Sequence, residues 1–143
     1  MILGTYQGTI SPKRRVAIPA SFRKELGEKF IVAKWYEKCL VLVSIGSWSA
    51  LLERLKGSSK IITRGVRDTD RFILGSAYEL IPDEQGRVVL PLSLVSFAGL
   101  GSEVNFIGLG DRVEIWNKEK WEEREEFVAK HAGELLEGLS NDK

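Results

Sequence analysis

An internal repeat at a spacing of 72 residues most restricts how this 143-residue chain can fold. The segment from Arg15 to Ala20 reads Arg-Val-Ala-Ile-Pro-Ala, and the segment from Arg87 to Leu92 reads Arg-Val-Val-Leu-Pro-Leu. Further along, the offset drifts by a residue or two, so that Trp48 corresponds to Trp121. The chain is therefore predicted to contain two copies of one structural unit, with small insertions in loops.

Both copies predict the same order of elements: a strand, a polar turn, a second strand, a short helix and two further strands. Pro19 and Pro91 stand where a first helical residue would, and Gly27 and Gly101 stand where a helix would end. Turn residues bracket the strands. The predicted strands cover 5–10, 15–18, 30–34 and 39–44 in the first copy and 77–81, 87–90, 103–108 and 111–116 in the second, with helices at 20–26 and 92–98.

A unit of about 45 residues is too small to build a stable core alone, so the two copies should interlock into one domain. The predicted organisation is a first repeat with a closing helix at 1–56, a linker at 57–75, a second repeat with a closing helix at 76–128 and a tail at 129–143. Within the linker, 57–70 is predicted to be a loop, with a short helix as an option for 71–76. Ser47 and Asn117 are predicted to cap the closing helices.

The net charge of +1 is a cancellation between the halves of the chain. Residues 1–72 carry fourteen basic and six acidic side chains, a balance of +8, whereas residues 73–143 carry seven and fourteen, a balance of −7. Much of the negative charge belongs to a predicted amphipathic helix after Asn117. A basic half of this kind favours an anionic partner.

Composition excludes several other functions. An apolar content of 43% fits a packed globular protein, and the chain has no apolar stretch long enough to cross a bilayer, so no membrane partner is expected. One His and one Cys cannot supply the usual four Cys or His ligands of a zinc site, and no Ser, Cys or second His stands in a recognisable catalytic arrangement with His131. His131 is interpreted as a solvated or helix-terminal residue, and Cys39 as a core residue. We therefore expect a cytoplasmic protein without catalytic residues, metal or cofactor.

The turn after the first strand of each copy carries the candidate functional residues. In the second copy this turn reads Asp83-Glu84-Gln85-Gly86-Arg87. Asp83 can accept hydrogen bonds from the turn's own backbone, and Gly86 can supply a positive φ. Two interpretations of Arg87 stay open: an anchor paired with Asp83, or a DNA contact together with Gln85.

The corresponding turn of the first copy reads Ser11-Pro12-Lys13-Arg14-Arg15. Three adjacent cations repel one another, so an anionic partner explains Lys13, Arg14 and Arg15 better than internal stability does. An ordinary solvated turn is the alternative. Arg can bind guanine through two hydrogen bonds and Gln can bind adenine in the same way, while Lys contacts phosphates.

These motifs together resemble the MraZ family of bacterial transcriptional regulators, which are built from two SpoVT-AbrB type repeats. The resemblance covers roughly residues 1–128. It rests on Gly4-Thr5-Tyr6-Gln7, the basic turn before Arg15, Ile18-Pro19-Ala20 with Phe22-Arg23, Asp83-x-x-Gly86-Arg87 with Leu90-Pro91, and Glu114-Ile115-Trp116.

The resemblance implies an α+β fold: a duplicated swapped-hairpin, AbrB-like β-barrel formed by two pseudo-symmetric repeats, with short helices and a C-terminal helix. It also implies a homo-oligomeric ring, often an octamer, that binds short repeated DNA boxes upstream of a cell-division and cell-wall gene cluster. The family's DNA-contacting Asp-x-x-x-Arg elements fall on Ser11–Arg15 and Asp83–Arg87. In the first element, Ser11 and Arg14 replace the usual Asp and Gly, and Leu3 stands where many members have a basic residue.

The resulting hypothesis is a non-enzymatic, sequence-specific regulator of transcription that binds double-stranded DNA and associates with the nucleoid. Its expected action is repression of the gene cluster. The expected DNA contacts are Lys13, Arg14 and Arg15, followed by Gln85 and Arg87, with Ser11, Asp83 and Gly86 shaping the turns. The alternative is an oligomeric interaction module whose basic face binds an acidic protein or the acidic helix of a neighbouring subunit.

Overall fold

The computed structural model of the protein describes residues 1–57 and 62–141, and in these ranges the chain forms eight strands and five α-helices. The first repeat and its closing helix comprise β1 Ile2–Thr9, β2 Arg15–Ala17, α1 Ala20–Leu26, β3 Phe30–Lys34, β4 Leu40–Ser44 and α2 Ile45–Lys56. Next comes α3 Arg64–Ile73. The second repeat comprises β5 Tyr78–Leu80, β6 Arg87–Val89, α4 Leu92–Ala98, β7 Glu103–Gly110 and β8 Val113–Asn117, and α5 Lys118–Asn141 ends the described chain.

The two repeats exchange strands within one six-stranded sheet. The strand order is β1-β7-β8-β4-β3-β5, and each neighbouring pair is antiparallel. Strand β1 of the first repeat pairs along its whole length with β7 of the second, and β5 of the second repeat pairs with β3 of the first. Each repeat therefore completes the sheet of the other. The duplicated, strand-swapped α+β architecture is confirmed.

A two-stranded ribbon of β2 and β6 links the two ends of this sheet. Strand β2 follows the edge strand β1 through one turn, and β6 follows the other edge strand, β5, through the corresponding turn. Within the ribbon, Val16 lies opposite Val88, its own equivalent at the 72-residue spacing. This pair marks the pseudo-twofold relation between the repeats, and both side chains are buried. The two turns consequently lie at opposite ends of the ribbon.

The larger hydrophobic core is shared by both repeats, which explains why neither short unit needs a core of its own. Its largest fully buried side chains include Phe22 and Phe30 from the first repeat and Phe106 from the second. A second cluster packs α2 and α3 against the other face of the sheet, around Trp35 and Trp116.

Sequence signals located the two short helices of the repeats correctly. Helices α1 and α4 begin directly after Pro19 and Pro91, as predicted. At the closing helices, Asn117 accepts a hydrogen bond from the N–H of Lys120 (3.1 Å) as a cap should, but the prediction for Ser47 was wrong. Ser44 caps α2 instead, accepting from the N–H of Ser47 (3.2 Å).

Helical structure extends further than predicted in two regions. Helix α3 begins at Arg64, inside the predicted loop, because Thr63 caps it and Asp68 forms ion pairs with Arg71 (2.7 Å) and Arg64 (4.0 Å). Residues 58–61 of that predicted loop lie outside the described residues. The tail from residue 129 onward continues α5 as far as Asn141. No helix within the described ranges has the length and apolar character needed to cross a membrane.

Candidate nucleic-acid interface

The first turn, residues 11–15, is closed by three hydrogen bonds. The N–H of Ser11 donates to the carbonyl of Arg15 (2.9 Å), and the N–H of Arg14 donates to the carbonyl of Ser11 (2.9 Å). The hydroxyl oxygen of Ser11 then accepts a bond from the N–H of Arg15 (3.1 Å). Ser11 thus holds the backbone of the turn, but a hydroxyl cannot neutralise the guanidinium of Arg15.

The second turn, residues 83–87, repeats this backbone pattern with a carboxylate in place of the hydroxyl. The N–H of Asp83 donates to the carbonyl of Arg87 and the N–H of Gly86 donates to the carbonyl of Asp83, both at 2.9 Å. Oδ1 of Asp83 accepts from the N–H groups of Gln85 and Arg87, and Oδ2 accepts from Nε of Arg87 at 2.9 Å. The structure shows the ion pair that the anchoring interpretation of Arg87 requires.

Both turns use a left-handed residue at their fourth position. Gly86 has a φ of 76°, and Arg14 adopts nearly the same conformation with a φ of 64°. A side chain in this conformation costs about 1–2 kcal/mol. The first turn therefore keeps the geometry of the second although Ser11 and Arg14 replace Asp and Gly.

The cationic side chains of the two turns differ in their exposure and in their hydrogen-bond and ion-pair partners. Lys13 and Arg15 are exposed, and within residues 1–57 and 62–141 no carboxylate forms an ion pair with Lys13, Arg14 or Arg15. Arg14 is half-buried, and its Nε donates to the carbonyl of Leu90 at 2.9 Å. Arg87 is also half-buried and keeps its guanidinium on Asp83.

The outer face of the ribbon brings arginines of both repeats together. Val16 and Val88 point into the core, so the alternation of side chains along a strand places Arg15, Ala17, Arg87 and Val89 on the opposite, outward face. Arg15 is paired with Val89, and Arg87 is paired with Ala17. The two arginines are therefore offset by two residues, or about 7 Å along the ribbon. Gln85 is exposed on the second turn beside this face.

Arg23 also contributes to this region, although the sequence indicated it only as part of the basic half and of the motif that resembles the MraZ family. Its Nε donates to the carbonyl of Ile18 at 3.1 Å, and its guanidinium lies over Gly86 of the other repeat. Arg23 belongs to α1, which follows the first ribbon strand after only Ile18 and Pro19, so the sequence already placed it close to the ribbon. Without the pairing between repeats, nothing indicated that this helix would meet the second turn.

The carboxylate of the second turn makes that turn sensitive to acid. The backbone N–H of Arg87, with further contributions from its guanidinium and from the N–H of Gln85, holds the pKa of Asp83 below its ordinary value. A lowered pKa means that the ionised carboxylate stabilises the folded state fully above its ordinary pKa of about 4 and loses this effect as pH falls through the lower folded value.

We therefore expect acidification from pH 5 to pH 2 to lower the protection of the Gln85 and Arg87 amides, taken relative to the intrinsic exchange rate at each pH, with little change in protection at Arg15, whose acceptor is a hydroxyl. Amide exchange measured by NMR across this range checks the expectation. In the control variant Asp83→Asn, the second turn should show no such pH dependence. Equal acid sensitivity of both turns would contradict the assignment.

The remaining candidate residues are engaged in packing. Cys39 is buried in the second core cluster, and burial raises the pKa of its thiol. The ring of His131 stacks on Phe127, with Nδ1 2.8 Å from the Phe127 carbonyl oxygen. Trp35 and Trp116 are buried.

The strand exchange and the paired turns define a class of protein: a duplicated swapped-hairpin fold of the AbrB type that carries an Arg-bearing turn at each end of its central ribbon. A family model described as "MraZ protein, putative antitoxin-like" matches residues 1–69 and 73–133. The chain belongs to the MraZ family.

Curated relatives match over nearly the whole chain. The transcriptional regulator MraZ of Caldanaerobacter subterraneus subsp. tengcongensis is 41% identical over 141 residues, which cover 99% of this chain and 98% of the relative. The protein of the same name from Syntrophomonas wolfei subsp. wolfei is 40% identical over 139 residues, covering 97% and 96%. That of Acetivibrio thermocellus is 43% identical over 122 residues, covering 85% of each chain.

Proposed function

We propose that this protein is a non-enzymatic transcriptional regulator that binds double-stranded DNA sequence-specifically through the ribbon and its two turns. The observation that carries the proposal is the first turn, where Lys13 and Arg15 are exposed and Ser11 has replaced the carboxylate that neutralises the equivalent Arg87. The relatives' name, transcriptional regulator, supports the same function.

The roles of the individual residues follow from their geometry. A two-stranded ribbon fits the major groove, where Arg15 can bind guanine through two hydrogen bonds and Lys13 can contact the phosphates. At the other end, the exposed Gln85 can bind adenine, and the half-exposed Arg87 can add a contact through the N–H groups that Asp83 does not occupy. Arg14 adds positive charge beside Lys13 and Arg15 in the first turn.

A ring of several subunits, for which an octamer is the family-based expectation, would repeat this face around its rim. One short turn gives little affinity, but linked turns gain avidity when their DNA boxes recur at a matching spacing. We propose that the protein acts in this form as a repressor at repeated boxes before a cell-division and cell-wall gene cluster, in the cytoplasm at the nucleoid.

A second candidate function has one observation in its favour. The first half of α5 exposes five glutamates, namely Glu119, Glu122, Glu123, Glu125 and Glu126. Such a surface on one subunit could occupy the basic turn of another. The basic face would then serve assembly or an acidic protein partner and leave DNA unbound.

Binding measurements with two polyanions separate these candidates. A box selected from a random duplex library is placed once or in tandem in fluorescent duplexes of equal length, and poly-L-glutamate serves as the competitor. We expect the tandem duplex to bind at least 10-fold more tightly than the single box. The logarithm of affinity should fall linearly with that of salt concentration, by about 0.9 for each phosphate contacted.

Poly-L-glutamate at equal charge concentration should displace little of the tandem duplex, because it offers no base edges to the ribbon. If no box is enriched by the selection, or if poly-L-glutamate binds more tightly than the tandem duplex, the interaction module is the better description.

A further inference from the structure

Each end of the ribbon leaves one main-chain carbonyl without its usual ladder donor. In an antiparallel ladder, a hydrogen-bonded pair exchanges two N–H···O bonds. The N–H of Leu90 donates to the carbonyl of Arg14 (2.9 Å), but the N–H of Arg14 turns back to Ser11 and cannot return the bond. Likewise, the N–H of Ile18 donates to the carbonyl of Gly86 (3.0 Å), whose own N–H is bound to Asp83.

An arginine side chain supplies the missing donor at each end. Nε of Arg14 donates to the carbonyl of Leu90 at 2.9 Å, and Nε of Arg23 donates to the carbonyl of Ile18 at 3.1 Å. Leu90 and Ile18 are equivalent at the 72-residue spacing, and both are buried, so their carbonyls would otherwise be costly to leave without a donor. At both ends of the ribbon, an arginine guanidinium therefore supplies the hydrogen-bond donor that the main chain lacks.

The two arginines come from different places in the sequence. In the first turn the guanidinium belongs to the left-handed residue, Arg14, and the helix position that corresponds to Arg23 is Val95, which lines the same cleft as Arg14. In the second turn the left-handed residue is Gly86. A Cβ atom built there would lie 2.3 Å from Cζ of Arg23, so a side chain at this position would displace the Arg23 guanidinium. At each end of the ribbon, the turn of one repeat and the helix of the other are thus complementary.

We infer that Arg14 and Arg23 are positioning residues, which bind the ribbon ends through Nε and thereby fix the direction in which Arg15 and the second turn face DNA. This inference rests on the proposed DNA-binding function. Arg14 would then orient the first turn in addition to contributing positive charge. Arg23 would orient the second turn even though its Nε binds a main-chain carbonyl of the protein and not DNA. Any guanidinium that reaches the carbonyl should serve, whichever position carries it.

Three variants test the first turn on the tandem duplex, in the full chain, with oligomeric state checked by light scattering. Arg14→Lys keeps the charge and loses Nε, and Arg14→Gly removes both. Arg14→Gly/Val95→Arg moves the guanidinium to the helix position that Arg23 uses in the other repeat. We expect Arg14→Lys to bind about fivefold more weakly, the equivalent of one net hydrogen bond, with an unchanged salt slope. Arg14→Gly should bind more weakly still, and the double variant should recover to within about twofold of the unmodified protein.

The reverse exchange at the second turn moves the arginine from the helix position 23 to the turn position 86. Its effect is measured as thermal stability, without DNA. Gly86→Arg and Arg23→Val should each lower the thermal midpoint, the first by collision and the second by leaving the Ile18 carbonyl without a donor, and their combination should recover most of the loss.

If Arg14→Lys binds DNA as the unmodified protein does and the double variant is no better than Arg14→Gly, the inference is wrong. Thermal recovery of Gly86→Arg/Arg23→Val without any effect of Arg14→Lys on affinity also overturns it, because the arginines are then structural only. Failure of the unmodified protein to bind any duplex would instead refute the proposed function. The melting temperatures of Gly86→Arg, Arg23→Val and their combination would still show whether positions 86 and 23 compete for the Ile18 carbonyl.

Discussion

Replacing Arg15 by Ala is expected to weaken binding to a single DNA box by roughly 10-fold to 100-fold, with a larger effect on a tandem duplex. Arg15 is exposed on the outward face of the ribbon, and among the described residues no carboxylate competes for its guanidinium. A bidentate contact to a base contributes about 1–3 kcal/mol. If Arg15 also lies against phosphates, the salt slope should fall by about one. Fluorescence anisotropy across a salt series measures both quantities.

The matched control for this variant is Lys130→Ala, which removes one positive charge from an exposed position on α5. It should change affinity by less than about twofold, because α5 packs mainly on β7 and β8 and is not part of the ribbon or its two turns. Arg87→Ala is the informative comparison, since its guanidinium is bound to Asp83 and the loss of affinity should be smaller. Equal affinities for Arg15→Ala and the unmodified protein, with fold and assembly intact, would show that Arg15 does not contact DNA.

Local signals in the sequence predicted the elements of the fold well. Helices α1 and α4 start after their prolines, and β3 has the predicted bounds. The repeat itself predicted the pseudo-symmetry that the Val16–Val88 pair now marks. These successes have one cause: proline, glycine and apolar alternation act through the backbone of their own neighbourhood, so they can be interpreted without the rest of the chain.

The pairing between repeats could not be predicted from the residues alone. Nothing in β1 specifies β7, some hundred residues away, as its partner, and the swapped arrangement entered only through the family resemblance. Helix α3 was missed for a different reason. Its charged sequence is typical of a loop, but a Thr63 cap and ion pairs one helical turn apart stabilise it.

The candidate site was predicted in its parts but not in its connections. The turns and their arginines were recognisable, and so was the pairing of Asp83 with Arg87 as one of two interpretations. The bonds from Arg14 to Leu90 and from Arg23 to Ile18 join residues that become neighbours only when the ribbon forms. Long-range contacts of this kind decide which cations are free to meet a ligand.

The exchange of strands leads to the second large expected effect, the loss of stability on replacing Phe106 by Ala. Phe106 belongs to β7 of the second repeat, is fully buried and lies opposite Tyr6 of β1. Its ring packs so closely on the first repeat that a Cβ atom at Gly8 would lie 2.6 Å from its Cε2. Removing a buried phenyl ring costs about 3–5 kcal/mol, a large share of the roughly 5–15 kcal/mol that holds a domain folded.

The distribution of this loss along the chain is more informative than its size. Because β1 belongs to one repeat and its partner β7 to the other, Phe106→Ala should lower protection from hydrogen exchange equally in both copies, including β3 and β4. Urea unfolding at fixed protein concentration should show a single transition, shifted to lower urea. Phe127→Ala, at a half-exposed position on α5, is the control and should cost less than about 1 kcal/mol. Loss of protection confined to residues 103–117 would show that the repeats fold independently, and the ribbon that carries both turns would then be an assembly of two separate units.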